Sequence, residues 1–137
     1  MTKRRLVLGF SLTLVAILSG VSAAEETGNL RPHAKVVVLD GSGRDFLSVL
    51  SGPPESVKMK AGYVVLAPGK SVGKHTTGHH EEVLVVLEGG GEMLFRDGSK
   101  LPVKANSAVY CPPETEHDVT NTGQHTLRYV YVVSEAQ

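Results

Sequence analysis

The stretch GKHTTGHHEEVLVVLEGGG, residues 73–91, joins a polar, histidine-rich segment to an apolar run and ends in three glycines. Three histidines and two glutamates fall within eight positions, from His75 to Glu82. The apolar run after them is rich in valine and leucine, which is typical of a β-strand buried on both faces. Burying ionisable groups is costly unless they are paired, so the stretch predicts a site where these side chains meet a partner.

Short apolar pieces recur on both sides of this stretch, separated by Gly, Pro, Asn and Asp. Their composition predicts β-strands, and no window of helical length after the first 23 residues has a helical period. Many short strands at even spacing predict an all-β, antiparallel barrel or sandwich. The predicted strands are KVVVLD (35–40), FLSVL (46–50), GYVVL (62–66), VLVVLE (83–88), EMLFR (92–96), KLPVKA (100–105), SAVYC (107–111), HDVTN (117–121) and TLRYVYVV (126–133).

Alternation along a strand predicts which ionisable side chains point the same way. His80 and Glu82 share one face of their strand, but an apolar run on both faces does not say which face is inside. His117 shares a face with Val119, which predicts that its imidazole points to the interior. The turn at residues 78–80 brings the end of one strand next to the start of the following strand, so inward side chains from both would converge.

A divalent cation would offset the cost of burying a carboxylate among imidazoles, because it binds neutral imidazole and takes up the carboxylate charge. Nitrogen and oxygen ligands suit a divalent transition metal such as iron, manganese, nickel, copper or zinc, and the sequence leaves its identity open. The alternative is that HHEE, residues 79–82, forms a solvated cluster on the surface.

Two segments resemble the two sequence motifs of the cupin superfamily. The first is PGKSVGKHTTGHHEEVLVVLEG, residues 68–89, which has Gly69, His75, Glu82 and Gly89 at the motif spacing. The second is NSAVYCPPETEHDVTN, residues 106–121, which has Pro112, His117 and Asn121 at the motif spacing. The resemblance implies a cupin-type antiparallel β-barrel of the double-stranded β-helix, or jelly-roll, kind.

The same resemblance implies a metal site, because cupin metals are usually held by three histidines and one glutamate. His75, Glu82 and His117 carry over directly, whereas Thr77 stands where the motif has its second histidine. We predict His80 as the replacement ligand, because it lies two residues before Glu82. His79, water or substrate are the alternatives, and the last two leave a two-histidine, one-carboxylate set.

The chain departs from the second motif at two further positions. Asn106 and Glu114 stand where that motif has glycines. These changes affect turns, and we expect the fold to tolerate them.

The first 23 residues have the features of a secretory signal peptide. Lys3, Arg4 and Arg5 precede an apolar run from Leu6 to Val21, and small residues follow it. We predict cleavage after Ala23 or one residue later, a single domain over residues 24–137 with its core at about 35–133, and a secreted or periplasmic location. A retained membrane anchor is the alternative, although the run is shorter than the roughly 20 residues that a bilayer requires.

The composition of the chain argues against some classes of binding partner. The formal net charge is zero, and no basic patch is interleaved with aromatic residues, so we expect no nucleic acid partner. After signal cleavage we expect no membrane partner either. The single cysteine, Cys111, excludes an internal disulfide and is expected to be buried. KVVVLD, residues 35–40, is a candidate for exchange onto a neighbouring sheet, which predicts a homodimer.

The residues outside the motifs carry weaker signals. Lys58 and Lys60 flank Met59 and are interpreted as the wet face of a strand, and Tyr129 and Tyr131 share a face that could line a pocket.

The resemblance to cupins implies three candidate functions. The first is a metal-dependent enzyme of the dioxygenase, decarboxylase, isomerase or lyase type that acts on a small organic molecule. The second is a non-catalytic module that binds a small ligand such as a sugar or a carboxylate. The third is a metal-free scaffold. No catalytic residue is predicted.

Overall fold

The computed structural model describes residues 31–136, in which nine strands form two antiparallel sheets. The signal peptide predicted for residues 1–23 lies outside the described residues. In chain order the strands are β1 (Phe46–Leu50), β2 (Met59–Leu66), β3 (His75–Thr76), β4 (His80–Glu88), β5 (Gly90–Phe95), β6 (Lys100–Lys104), β7 (Ser107–Cys111), β8 (Glu116–Thr120) and β9 (Leu127–Glu135).

The two sheets face each other across one core. The five-stranded sheet has the order β1-β2-β9-β4-β7, and the four-stranded sheet has the order β3-β8-β5-β6. Alternate residues of the strands fill the space between them, and Leu84, Met93, Val119 and Leu127 are at most 1% exposed. The prediction of an all-β, antiparallel barrel is therefore confirmed. Residues 31–136 contain no helix that is long and apolar enough to cross a membrane.

The prediction of a β-strand at residues 35–40 is wrong. Residues 31–40 carry no regular secondary structure, and the side chains of Val36 and Val38 are 92% and 77% exposed. Strand composition alone does not make a strand, because the backbone also needs a neighbouring edge with which to form hydrogen bonds.

The prediction that the apolar run of β4 is buried on both faces is also wrong. Leu84 and Val86 are 1% exposed and point into the core, whereas Val83, Val85 and Leu87 are 37%, 42% and 45% exposed. We call these last three residues the outer face of β4. A continuous apolar run does not distinguish a strand between two layers from a strand whose second face is open to solvent.

The glycines that follow β4 allow the backbones of neighbouring strands to approach closely. A Cβ atom on Gly91 would overlap the carbonyl oxygen of Thr120, and one on Gly89 would overlap that of Thr126. Thr120 ends β8 and Thr126 directly precedes β9. The glycines therefore let β5 turn away from β4 and pair in the opposite sheet, which forms the corner of the barrel.

The two turns that depart from the cupin motif keep a glycine-like backbone. Asn106 has a φ of 63° and Glu114 has a φ of 55°, so both adopt the left-handed conformation that favours glycine. The turn that contains Glu114 leads from β7 into β8 and so sets the position of His117.

Candidate metal centre

Three of the side chains predicted as ligands meet at one point inside the barrel. His75 comes from β3, Glu82 from β4 and His117 from β8, and one ligand atom from each lies within 4.8 Å of the other two. His75 and His117 are direct partners in the β3–β8 pair, and their ring centroids are 4.4 Å apart. We call this group the ligand cluster. The prediction that His117 points to the interior is confirmed, and the face of β4 that carries Glu82, which the sequence left open, is also the inner one.

Backbone carbonyls orient both imidazoles in the same way. Nδ1 of His75 lies 2.9 Å from the carbonyl oxygen of Gly73, and Nδ1 of His117 lies 3.3 Å from that of Thr115. In each case the carbonyl belongs to the residue two positions earlier in the chain. In a neutral imidazole, a hydrogen bond from Nδ1–H to a carbonyl leaves the lone pair on Nε2, and metal-binding histidines are usually oriented in this way.

Glu82 and His117 lie close together but do not form a well-directed hydrogen bond. Oε2 of Glu82 is 3.2 Å from Nε2 of His117, yet Nε2 is buried without a well-directed hydrogen bond. Both residues are nearly inaccessible, at 6% and 1% exposure. A buried imidazole nitrogen without an aligned partner is costly, and a cation between the two groups would satisfy both.

Neighbouring groups also change the protonation of His117. Burial acts to lower the pKa of His117, but Cys111 and the Glu82 carboxylate outweigh burial and raise that pKa to about 10. In the metal-free protein at neutral pH, His117 is therefore an imidazolium beside a carboxylate. A metal has to displace this proton in order to bind.

The donor set fits a divalent transition metal. Two neutral imidazole nitrogens and one carboxylate oxygen match the chemistry of iron, manganese, nickel, copper and zinc, and no feature selects among them. Three protein ligands leave further coordination positions for water or a substrate.

His80 lies outside the ligand cluster but on the wall of the same cavity. It shares the inward face of β4 with Glu82 and pairs with Glu135 at the outer end of the sheet. His79 points to solvent, with its side chain 93% exposed and Nδ1 3.1 Å from Oε1 of Glu114. The assignment of His80 as a fourth ligand stays a prediction.

Thr77, which replaces the second histidine of the motif, has a structural role. Its hydroxyl donates a hydrogen bond to the carbonyl oxygen of Pro112 at 2.9 Å and accepts one from the backbone N–H of Thr115 at 2.9 Å. Thr77 is 7% exposed. It therefore ties the end of β3 to the turn before His117 and helps to hold β3 and β8, the strands that carry His75 and His117, together.

Cys111 is buried, as predicted, and lies beside the ligand cluster. It is the direct partner of Glu82 in the β4–β7 pair and has no exposed surface. Its Sγ is 3.2 Å from Sδ of Met93 in the opposite sheet. These contacts make Cys111 a member of the core below the cluster.

A cavity of about 700 Å³ opens onto the ligand cluster. Tyr129 and Tyr131 both line it, and burial raises the pKa of each phenol, so both remain neutral hydrogen-bond donors at physiological pH. Lys60, interpreted from the sequence as part of a wet face, also lines the cavity. Lys60 shares a face of β2 with Val64 and Leu66, but the residues of the opposite face are buried too, so the sequence alone did not identify the inner face.

Comparison with known proteins agrees with this architecture. The family model described as Cupin domain matches residues 62–133, which is 72 of the 137 positions. The oxalate-binding protein of Thermotoga maritima is 33% identical over 69 residues, which cover 50% of this chain and 55% of that protein. The matches span little more than half the length of the curated relatives.

Solved structures show the same fold. A Cupin 2 conserved barrel domain protein from Salinispora arenicola has a TM-score of 0.60 and 26% identity, over 76% of this chain and 92% of that one. A predicted oxalate decarboxylase from Thermotoga maritima has a TM-score of 0.61 and 22% identity, over 78% and 96%.

The barrel and the cluster of histidines and glutamate within it define a small β-barrel protein of the kind that binds metal. The chain belongs to the cupin family.

Proposed function

We propose that the protein is a metal-dependent cupin that binds a small organic acid at the ligand cluster. The observation that carries this proposal is the convergence of His75, Glu82 and His117, whose ligand atoms lie within 4.8 Å of one another on the wall of a large cavity. A metal bound there would act as a Lewis acid that attracts a carboxylate and polarises it. The tyrosines of the cavity wall would supply neutral donors to the ligand's remaining oxygen atoms.

Oxalate is the first ligand to test, because a relative that shares 33% identity over half of this chain is named an oxalate-binding protein. Oxalate would be titrated calorimetrically into protein loaded with Mn²⁺, Ni²⁺ or Zn²⁺, and into the same protein after chelator treatment. We expect binding only to the loaded protein. Equal binding to both forms, or binding to neither, would contradict the proposal.

The same samples decide between binding and catalysis. Formate and CO₂ would be measured after incubation of loaded protein with oxalate, with and without oxygen. Binding without product identifies a ligand-binding module, and metal-dependent product identifies an enzyme. A protein that retains no metal under any condition would instead be a metal-free scaffold.

We further propose that the protein functions outside the cytoplasm. The basic start of the chain, the apolar run from Leu6 to Val21 and the small residues after it support this proposal. Mass spectrometry of the protein from cell fractions of its own host would test it. The expected product begins near Ala24 in the periplasm or medium, and a full-length chain in the cytoplasm would contradict the proposal.

We also propose that the protein is a homodimer in which the outer face of β4 meets the same face of a second copy. The outer face is apolar, and Tyr110 on the neighbouring edge strand β7 is 54% exposed beside it. A two-fold interface must be self-complementary, and an apolar stripe satisfies this condition when it packs against itself. The exposed residues Val36 and Val38 supply a second apolar element that the same partner could cover.

A further inference from the structure

Lys60 lies on the same row of the sheet as Glu82, the carboxylate of the ligand cluster. Lys60 pairs with Val133 across β2 and β9, and Val133 pairs with Glu82 across β9 and β4. Directly paired residues point to the same side of a sheet, so Lys60 and Glu82 both face the cavity. Two strand spacings separate their Cα atoms, which is roughly 10 Å.

The wall beside Lys60 is aromatic. Gly62 follows Lys60 on the inward face of β2, and a Cβ atom at Gly62 would lie 2.6 Å from both the Phe46 and the Tyr131 rings. The missing side chain of Gly62 therefore makes room for these rings, which stack at a centroid distance of 6.3 Å. The stack forms a flat apolar surface next to the lysine.

The Lys60 ammonium has no local counter-charge. Among residues 31–136, Glu135 accepts an ion pair from Lys58, but no carboxylate lies within 4.0 Å of the Lys60 ammonium. Its stem runs past Gly52, where an added Cβ would be 3.2 Å from Cε of Lys60. Lys70 and Lys74 also line the cavity, so three lysines face it, while Asp45 and Glu82 are its only carboxylates within the described residues.

The cavity is large for oxalate. Its volume of about 700 Å³ is within the range of about 300–1,000 Å³ that suits a drug-sized ligand, whereas oxalate is two carboxylates joined by a single bond. Oxalate at the ligand cluster would leave Lys60 and the Phe46–Tyr131 stack uncovered. The residues on this wall thus match a longer molecule with a second acidic end.

We propose that the ligand is an elongated dicarboxylic acid whose chelating end binds at the ligand cluster and whose far carboxylate pairs with Lys60. This inference rests on the proposed metal-dependent function and adds a second subsite to it. The short aliphatic body of the ligand would lie over Val133 and the Phe46–Tyr131 stack. Lys60 then acts as a specificity residue that distinguishes a dicarboxylate from a monocarboxylate of equal length.

The test compares two acids that differ only at the far end. 2-Oxoglutarate and 2-oxopentanoate have the same chelating 2-oxo acid group and the same chain length, but only the first has a second carboxylate. Calorimetric titration of metal-loaded protein is expected to give binding about fivefold tighter for 2-oxoglutarate, which is typical of a partly exposed charge pair. Lys60→Gln should abolish this difference without changing the affinity for 2-oxopentanoate or the metal content.

Lys58→Gln is the matched control, because Lys58 is ion-paired with Glu135 and does not line the cavity. This variant should keep the fivefold preference. Equal affinity of the wild-type protein for the two acids would overturn the second subsite and leave the metal site intact. A preference that persists in Lys60→Gln would overturn the assignment to Lys60. If metal-loaded protein binds oxalate but neither 2-oxo acid, the inference alone is overturned, and failure to bind any of the three acids would overturn the proposed function as well.

Discussion

Each face of β4 contains a residue in an unusual environment. On the inner face, the Glu82 carboxylate is 6% exposed, whereas on the outer face Val85 is 42% exposed. Buried carboxylates and solvent-exposed aliphatic rows both cost free energy in an isolated chain. The difference teaches that each face is shaped for a different kind of partner. The inner face suits a cation, and the outer face suits another apolar surface.

The largest loss of metal affinity is expected from changing the ligand cluster, to which the inner face of β4 contributes Glu82. His117→Ala removes one imidazole from the ligand cluster, and we expect metal affinity to fall by at least about 100-fold, since even outer-shell partners of metal ligands contribute 10–100-fold. Competition titration with a chromogenic chelator measures this loss.

Two further variants make that measurement decisive. Glu82→Gln retains the shape of the side chain but removes its charge, so it should also weaken metal binding even if His117→Ala is unstable. His125→Ala, at an exposed turn, should bind metal as the wild type does. Unchanged affinity in both His117→Ala and Glu82→Gln would show that the ligand cluster is not the metal site.

The second prediction concerns the effect of pH on the buried pair formed by Glu82 and His117. The pKa of His117 is raised to about 10 in the metal-free fold, compared with about 6.5 in an unfolded chain. The stabilisation from its protonated form is therefore complete below about pH 6.5 and is lost as the pH rises through 10.

Metal binding at pH 7.5 should release about one proton from this imidazole. Calorimetry in two buffers with different ionisation enthalpies counts that proton. Binding with no proton release would mean either that His117 is already neutral or that it is not a ligand.

The third prediction addresses the outer face. Val85→Lys places a charge in the centre of the apolar stripe, so we expect the proposed dimer to dissociate at least about tenfold more readily, because an unpaired charge would be buried in its interface. Light scattering after size-exclusion chromatography measures the mass. Metal affinity should not change, since Val85 points away from the cavity. A wild-type protein that stays monomeric at high concentration would contradict the proposed dimer.

The smallest loss of metal affinity is expected from changing the histidines beside the ligand cluster. His80→Ala should weaken metal binding by about threefold to tenfold, whereas His79→Ala should have no measurable effect. His80 lines the cavity, while His79 is exposed beside Glu114. The competition titration ranks the two variants, and a larger loss in His79→Ala would indicate that the loop histidine turns inward on binding.

The sequence predicted the ligand cluster mainly through its resemblance to the two cupin motifs. His75, Glu82 and His117 lie at the spacing of two motifs, and strand alternation placed Glu82 and His117 each on one face of a strand. Thr77 marked the departure from the four-ligand pattern, but its hydrogen bonds to Pro112 and Thr115 depend on a turn that is distant in sequence.

Other features depend on neighbours that the sequence does not identify. Lys60 precedes an apolar run that is buried on both faces, so its direction became clear only from the pairing with Val133. KVVVLD has strand composition but no edge to pair with among the described residues. The exposure of the outer face of β4 depends on whether a second layer of the protein covers it. The sequence of an apolar strand is the same whether or not such a layer is present.

Element analysis of untagged protein, purified without chelators, tests the central claim most directly. Inductively coupled plasma mass spectrometry should find about one equivalent of a single transition metal per chain in the wild type and in Val85→Lys, and almost none in His117→Ala. A wild-type protein that stays metal-free after incubation with each candidate ion would contradict the account of the inner face.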